Sequence, residues 1–289
     1  MKKINFIAEI SSNHNQNIKR TLKMIDSAKE NGFSSVKFQL FKINQLFSEE
    51  ILSSSNEHRK RANWELPINF IPIISKHCKS KKIKFGCTPF YLDAVDYLKK
   101  YVDFFKISSY EILWKELLTK CGNTKKPVII STGMAKLDEV TQAIKILKKT
   151  GNKKITVMHC VSSYPANFKD ANLSVIKKLR DKYNLNIGWS DHSVNPNIIY
   201  RAIYKWEVKD IELHYDLDKK GYEFQGGHCW LPYQASALIK NISEGLISDG
   251  IAIKKPNKSE INDRLWRTDP KDGLRPFIKI RKKWSIKKY

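Results

Sequence analysis

The segment Ile4-Asn5-Phe6-Ile7-Ala8-Glu9-Ile10-Ser11-Ser12-Asn13-His14 decides between the two folds open to this chain. Its apolar, partly β-branched start reads as a strand. Its second part, from Ser11 to His14, is polar and contains no glycine. A doubly wound open sheet would place a glycine-rich phosphate loop after its first strand, where only glycine lets the backbone approach a pyrophosphate closely. A closed barrel makes no such demand. It asks for chemically able side chains at the carboxyl end of the strand, and Glu9, Asn13 and His14 supply them.

Seven further short runs repeat the pattern, at residues 35–40, 83–87, 104–108, 128–131, 155–161, 186–189 and 210–215. Amphipathic stretches with helical periodicity separate most of them, at 18–29, 94–101, 136–149, 173–183, 196–205 and 232–248. Gly32 and Gly151 follow two of these stretches, as helix C-caps should. Eight strand–helix units predict a parallel sheet closed into a (β/α)8 TIM barrel over residues 1–250. Residues 251–289 read as a basic C-terminal extension packed on or near the barrel. The 42 residues between Leu40 and Ile83 exceed a plain crossover and predict an excursion at 47–65 over the barrel mouth.

The bulk numbers agree with one large core: 289 residues, 41% of them hydrophobic. No run reaches the roughly 18 apolar residues of a membrane span. Met1-Lys2-Lys3 leads straight into the first strand without an apolar leader, so the expectation is a cytoplasmic protein. Cys78, Cys87, Cys121, Cys160 and Cys229 are scattered and form no C-x-x-C, which predicts buried small hydrophobes rather than disulfides or structural zinc. The net charge of +24 invites a nucleic-acid reading. The lysines, however, are spread over helix exteriors, and only Lys279-Ile280-Arg281-Lys282-Lys283-Trp284 is dense. The expectation is no specific nucleic acid and a field that draws anionic substrates.

The chemistry sits at one end of every strand. Lys37 and Lys106 lie inside apolar runs, where an unpaired ammonium is too costly to bury. They are either paired, Lys37 with Glu9 and Lys106 with Glu111, or presented to a ligand anion. Thr88, Ser109, Ser131 and Ser190 end neighbouring strands and add short donors, which together make a phosphate or carboxylate cradle. His192 and His214 close the last two strands and can share a divalent ion, with Asp191, Glu212 or Glu9 as third ligand or outer support.

These strings, together with Thr88-Pro89-Phe90, Ser131-Thr132-Gly133-Met134, Ser162-Ser163-Tyr164-Pro165 and Trp189-Ser190-Asp191-His192, resemble the sialic acid synthase family in order and spacing over residues 4–235. The resemblance implies a TIM barrel that condenses phosphoenolpyruvate with an open-chain N-acylated hexose, releases phosphate and uses Mn2+ or Mg2+. Carried over by position, Lys37, Thr88, Lys106, Ser109, Ser131, Ser162 and Ser190 would hold phosphoenolpyruvate. His192 and His214 would bind the metal. Gln39, Glu111 and Tyr164 would contact the sugar, and Glu9 would move a proton or activate water.

Two departures stand out. Where the family carries a Pro-Gly-Pro-Asp stretch, the ungapped counterpart here is Tyr222-Glu223-Phe224-Gln225, which puts Gln225 at the sugar-contacting position. His228 comes next, either as an ordinary loop residue or as a substrate or metal neighbour. The family's C-terminal antifreeze-like domain, which lends an arginine to a partner subunit, has no counterpart in this sequence. Arg264, Arg267 or Arg275 could replace that arginine, and a homo-oligomer is expected by resemblance. The rival readings are a synthase for a phosphorylated sugar, a metal-dependent barrel hydrolase and a basic binding module.

Overall fold

A computed structural model describes residues 4–285. Met1, Lys2 and Lys3, on which the reading of the N-terminus partly rests, lie outside the described residues, as does the side chain of Trp284 in the basic run. Eight strands, β1 (Asn5–Glu9), β2 (Ser35–Leu40), β3 (Lys84–Pro89), β4 (Phe104–Ile107), β5 (Val128–Ser131), β6 (Ile155–Cys160), β7 (Asn186–Asp191) and β8 (Asp210–His214), close into a barrel in sequence order. All pairings are parallel, including the closing pair of β1 with β8. The predicted barrel is the observed one.

Eight helices follow the strands in turn: α1 (Ile18–Glu30), α2 (Phe70–Ser80), α3 (Leu92–Leu98), α4 (Lys115–Asn123), α5 (Leu137–Lys149), α6 (Val175–Tyr183), α7 (Pro196–Tyr204) and α8 (Pro232–Ser248). The sequence reading missed α2 and α4. Pro72 sits in the first turn of α2, where a missing N–H is tolerated, so it does not break the helix. In α4 a single buried stripe, Leu117, Leu118, Cys121 and Gly122, is enough to dock nine residues. The predicted excursion is a chain of short helical turns, Ile43–Leu46, Glu49–Ser54, Asn56–Lys60 and Arg61–Trp64. All five cysteines are free and buried.

The period of two along each strand explains where the site lies. Ile7, Phe104, Ile129 and Met158 form a small cluster separate from the main core. Two residues further along the same four strands stand Glu9, Lys106, Ser131 and Cys160. Lys37, Thr88, Ser190 and Glu212 continue that level on the other four, as registers such as Glu9↔Lys37, Cys160↔Ser190 and Ser190↔Glu212 require. The barrel is thus plugged by apolar side chains below and lined by polar ones above. Gly86 gives the plug room, since a Cβ there would collide with the Phe104 ring. The alternate residues, among them Ala8, Val36, Phe38, Phe105, Ile130 and Leu213, belong to the main core with helix residues such as Met24 and Leu147.

The chain divides into two compact units, 1–246 and 247–289. The second contains a 3-10 turn (Lys258–Glu260), a short helix (Ile261–Arg264) and a final helix (Ile278–Ser285). Inside it, buried Asp269 accepts from the Ile278 and Lys271 amides at 2.7 and 3.0 Å. No helix among the described residues is long and apolar enough to cross a membrane.

Candidate active site

A cavity of about 720 Å3 opens at the carboxyl ends of the strands, and every residue lining it belongs to the first unit. Lys37, Gln39, Thr88, Lys106, Ser109, Glu111, Ser131, Tyr164, Ser190, His192 and His214 all line it. Glu9 lies beneath them, fully buried, and accepts from Gln39 Nε2 at 3.1 Å. Besides Glu9, two expected residues, Ser162 and Gln225, are not among its lining. Ser162 Oγ is buried without a hydrogen-bond partner among the described residues, packed so closely on Gly133 that any Cβ there would strike it.

Gln225 lies apart from the lining, exposed in the 3-10 turn Phe224–Gly226. That turn ends at Gly227 in the left-handed region, at φ +73°, and carries the Gln225 side chain outward while Glu223 and His228 face the cavity.

The two lysines are both paired and presented. Lys37, 3% exposed, forms an ion pair with Glu9, and its Nζ donates to Thr88 Oγ1 at 3.2 Å. Lys106, 2% exposed, meets Glu212 Oε1 at 2.7 Å. The expected partner of Lys106, Glu111, instead accepts from the Ser108 hydroxyl. Ser190 Oγ donates to the same Glu212 oxygen at 3.1 Å, while Glu212 Oε2 has no hydrogen-bond partner among the described residues. Burial alone would raise Glu212, but Lys106 and Lys37 overcome it and pull its pKa down to about 2. Burial would likewise discharge Lys37, and Glu212 and Glu9 together hold it above its ordinary value. Glu9 is the exception. Burial holds it above the usual carboxylate range against the pull of Lys37, and the nearby Glu212 charge adds to the rise.

Such buried pairs add little net stability, since desolvation offsets most of the Coulomb gain. Two of them at the inner end of one cavity, with hydroxyls from Thr88, Ser109, Ser131 and Ser190 around them, are better explained as a preorganised anion cradle. Ser109 Oγ is held in place by the Gly133 amide at 3.0 Å.

Two residues beyond Ser190 on β7 and Glu212 on β8 stand His192 and His214. His192 Nδ1–H donates to the Val161 carbonyl at 2.6 Å, leaving Nε2 with its lone pair. Burial, with the neighbouring His214 adding to it, lowers the His192 pKa to about 3, so the ring is neutral. His214 Nδ1 donates to Glu223 Oε2 at 3.0 Å and likewise keeps Nε2 available. The two rings stand 5.2 Å apart, centre to centre. Burial would lower the His214 pKa, but Glu223, with Glu9 and Glu212, holds it above its ordinary value. Imidazoles with the second nitrogen fixed by a carbonyl or carboxylate are the usual donors to a divalent ion, which displaces any proton on the other, so the residues fit the cation that the resemblance implies. Asp191, a third-ligand candidate by sequence, is taken up elsewhere. It accepts from the Trp189 and Trp230 indoles at 3.3 and 3.2 Å and from Ser193 Oγ at 2.6 Å.

Sequence reasoning missed a third wall. The excursion brings Phe47, His58, Arg61 and Trp64 to the cavity. Arg61 stacks over the Phe47 and Trp64 rings at 5.8 and 5.3 Å, and Trp64 lies parallel to Tyr222 from the β8 loop, 6.3 Å between centres. Arg61 is the guanidinium of this cavity, whereas Arg264, Arg267 and Arg275 lie in the second unit. The loop after β1 holds the β8 loop: Asn13 Oδ1 accepts from the Glu223 amide at 2.8 Å, Asn15 Oδ1 from the Tyr222 amide at 3.2 Å, and Ser11 donates to the Glu223 carboxylate. Ser11, Asn15 and Gln16 take positive φ, of 46°, 50° and 50°, without any glycine, a strain typical of functional loops.

Comparison with known proteins agrees with this geometry. Residues 24–254 match the NeuB family. N,N'-diacetyllegionaminic acid synthase of Campylobacter jejuni is 33% identical over 273 residues, covering 90% of this chain and 81% of that protein. The enzyme of the same name from Legionella pneumophila is 31% identical over 270 residues, 88% of this chain and 76% of that one. The crystal structure of N-acetylneuraminic acid (sialic acid) synthetase from Leptospira borgpetersenii, in complex with citrate, superposes with a TM-score of 0.78 at 30% identity, covering 90% of each chain. The chain belongs to the NeuB family of sialic acid synthase-type enzymes.

Proposed function

We propose that this chain condenses phosphoenolpyruvate with the open-chain form of an unphosphorylated N-acylated amino hexose, giving a nonulosonic acid and inorganic phosphate in a reaction that needs a divalent cation. The observation that carries the reading is the meeting in one cavity of two buried ammonium groups with the His192 and His214 pair. The relatives from Campylobacter, Legionella and Leptospira are synthases of legionaminic and N-acetylneuraminic acids, which supports this substrate class.

Lys37, Lys106 and the four hydroxyls take the phosphate and carboxylate of the enol phosphate and hold its carbon 3 toward the acceptor. Gln39, Glu111 and Tyr164, which line the same cavity, orient the sugar. His192 and His214 would hold the divalent ion, which when bound would supply Lewis-acid polarisation of the acceptor aldehyde, and imidazole donors favour Mn2+ over Mg2+. Carbon 3 bonds to the aldehyde carbon, water adds at carbon 2, and the tetrahedral centre collapses with loss of phosphate. Glu9, whose carboxyl holds its proton more tightly than an ordinary glutamate, is suited to receive the proton of that water. Phosphoenolpyruvate is a cytoplasmic metabolite, and the reaction is assigned there.

The test is phosphate release from phosphoenolpyruvate with a panel of mono- and di-N-acylated hexoses, free and 6-phosphorylated, with the product mass read out. Release that requires Mn2+ and a free N-acyl hexose supports the reading. Release without any aldose identifies a hydrolase, and a preference for phosphorylated sugars identifies the rival synthase.

A further inference from the structure

The loop after β8 carries more donor chemistry than the pair His192 and His214 requires. His214, Glu223, His228 and Cys229 offer ligand atoms that all lie within 4.8 Å of one another. Of these, His214 and His228 are the imidazoles, and His192 stands beside them as a third. The His228 ring stands 4.6 Å from His214 and 6.3 Å from His192, centre to centre. With the ring centre about 3.2 Å from a bound ion, two ligating imidazoles are about 4.5 Å apart at a right angle and about 6.4 Å at most. All three histidine separations fall within or close to that range.

His228 is 94% buried, yet its Nδ1 has no hydrogen-bond partner among the described residues. Its Nε2 stands 3.8 Å from Glu223 Oε2, beyond hydrogen-bond reach. A buried imidazole left this open is costly unless something else engages it. Cys229 does not compete: it is absent from the cavity lining and receives a contact from Asn13 Nδ2 at 3.5 Å. The Tyr164 ring packs on all three imidazoles, at 4.3, 6.1 and 4.9 Å from His192, His214 and His228, and closes one side of the group.

We infer that His228 is a third imidazole ligand of the cation held by His192 and His214, and that Glu223 is a positioning residue that fixes His214 from behind. The inference rests on the cation site of the proposed function but not on the identity of its substrates.

The test is Mn2+ titration, by calorimetry and EPR, of chelator-stripped full-length protein without substrates, for the wild type, His228→Ala and His228→Gln. Both variants should bind Mn2+ at least about tenfold more weakly while the metal-free melting temperature stays near that of the wild type. Pulsed EPR of wild-type protein with Mn2+ should show nitrogen couplings from three imidazoles, a readout that does not depend on how a variant folds. Couplings from two imidazoles, with unchanged affinity in both variants, overturn the proposal. A wild type that binds no Mn2+ overturns it together with metal dependence. Three-imidazole binding without phosphate release from any acceptor would leave it standing and refute only the proposed reaction.

Discussion

The two ends of the cavity are built from different material. The inner end is made of strand residues, Lys37, Thr88, Lys106, Ser131, Ser190 and Glu212, fixed by barrel register and 1–3% exposed. The outer end is made of loop residues: His58, Arg61 and Trp64 from the excursion, and Tyr222, Glu223 and His228 from the β8 loop. A rigid cradle for the part of the reaction that never changes, and a loop-built wall for the partner that does, is the division of labour a barrel allows. Under the proposed function, the enol phosphate end is set by the fold and the acceptor end by this chain's own loops.

The largest expected effect lies at the inner end. Lys106→Met leaves Glu212 buried without its closest counter-charge, and should cost about 3–5 kcal/mol of stability and lower phosphate release by more than about 100-fold. Adding Glu212→Gln should recover the stability in a denaturant melt and not the activity. Recovery of both would reduce the pair to a structural role and break the comparison.

At the outer end, Arg61→Ala and Trp64→Ala should each raise the KM for the acceptor about tenfold, roughly 1.4 kcal/mol, and leave the KM for phosphoenolpyruvate within a factor of two. Steady-state kinetics with each substrate varied in turn reads the split. Equal effects on both constants would show that the two ends are not separable.

The smallest effect concerns Glu111, between the two ends. Burial raises its pKa to about 7, against the pull of the Ser108 hydroxyl. Its folded-state pKa lies above the unfolded value, so the stability it contributes is complete below about pH 4.5 and is lost as pH rises through about 7. Glu111→Gln should therefore flatten the fall in melting temperature between pH 5 and 7.5 by about 2 °C. An unchanged slope would mean that Glu111 titrates as an ordinary exposed carboxylate.

The same contrast explains what could be read from the chain before its structure. The inner ring was legible because a strand fixes side-chain direction every second residue, so Lys37 and Lys106 inside apolar runs announce themselves. The partner of Lys106 was not. Glu111 is five residues away and Glu212 is 106, and only closure of the barrel brings the distant one within 2.7 Å. Gln225 was chosen by counting from His214, which assumes a loop path that the turn at Gly227 does not follow. Arg61 and Trp64 gave no signal, because nothing in the local pattern of the excursion says which of its side chains turn toward the strand ends.

The central claim is that enol phosphate and cation occupy one cavity side by side. A crystal of the protein soaked with Mn2+ and phosphoenolpyruvate, with anomalous data at the manganese edge, tests it directly. The expected result is a manganese peak at His192 and His214, with the phosphate against Lys37 and Lys106 in the same cavity. A manganese peak away from both histidines, or phosphoenolpyruvate bound outside this cavity, would contradict it.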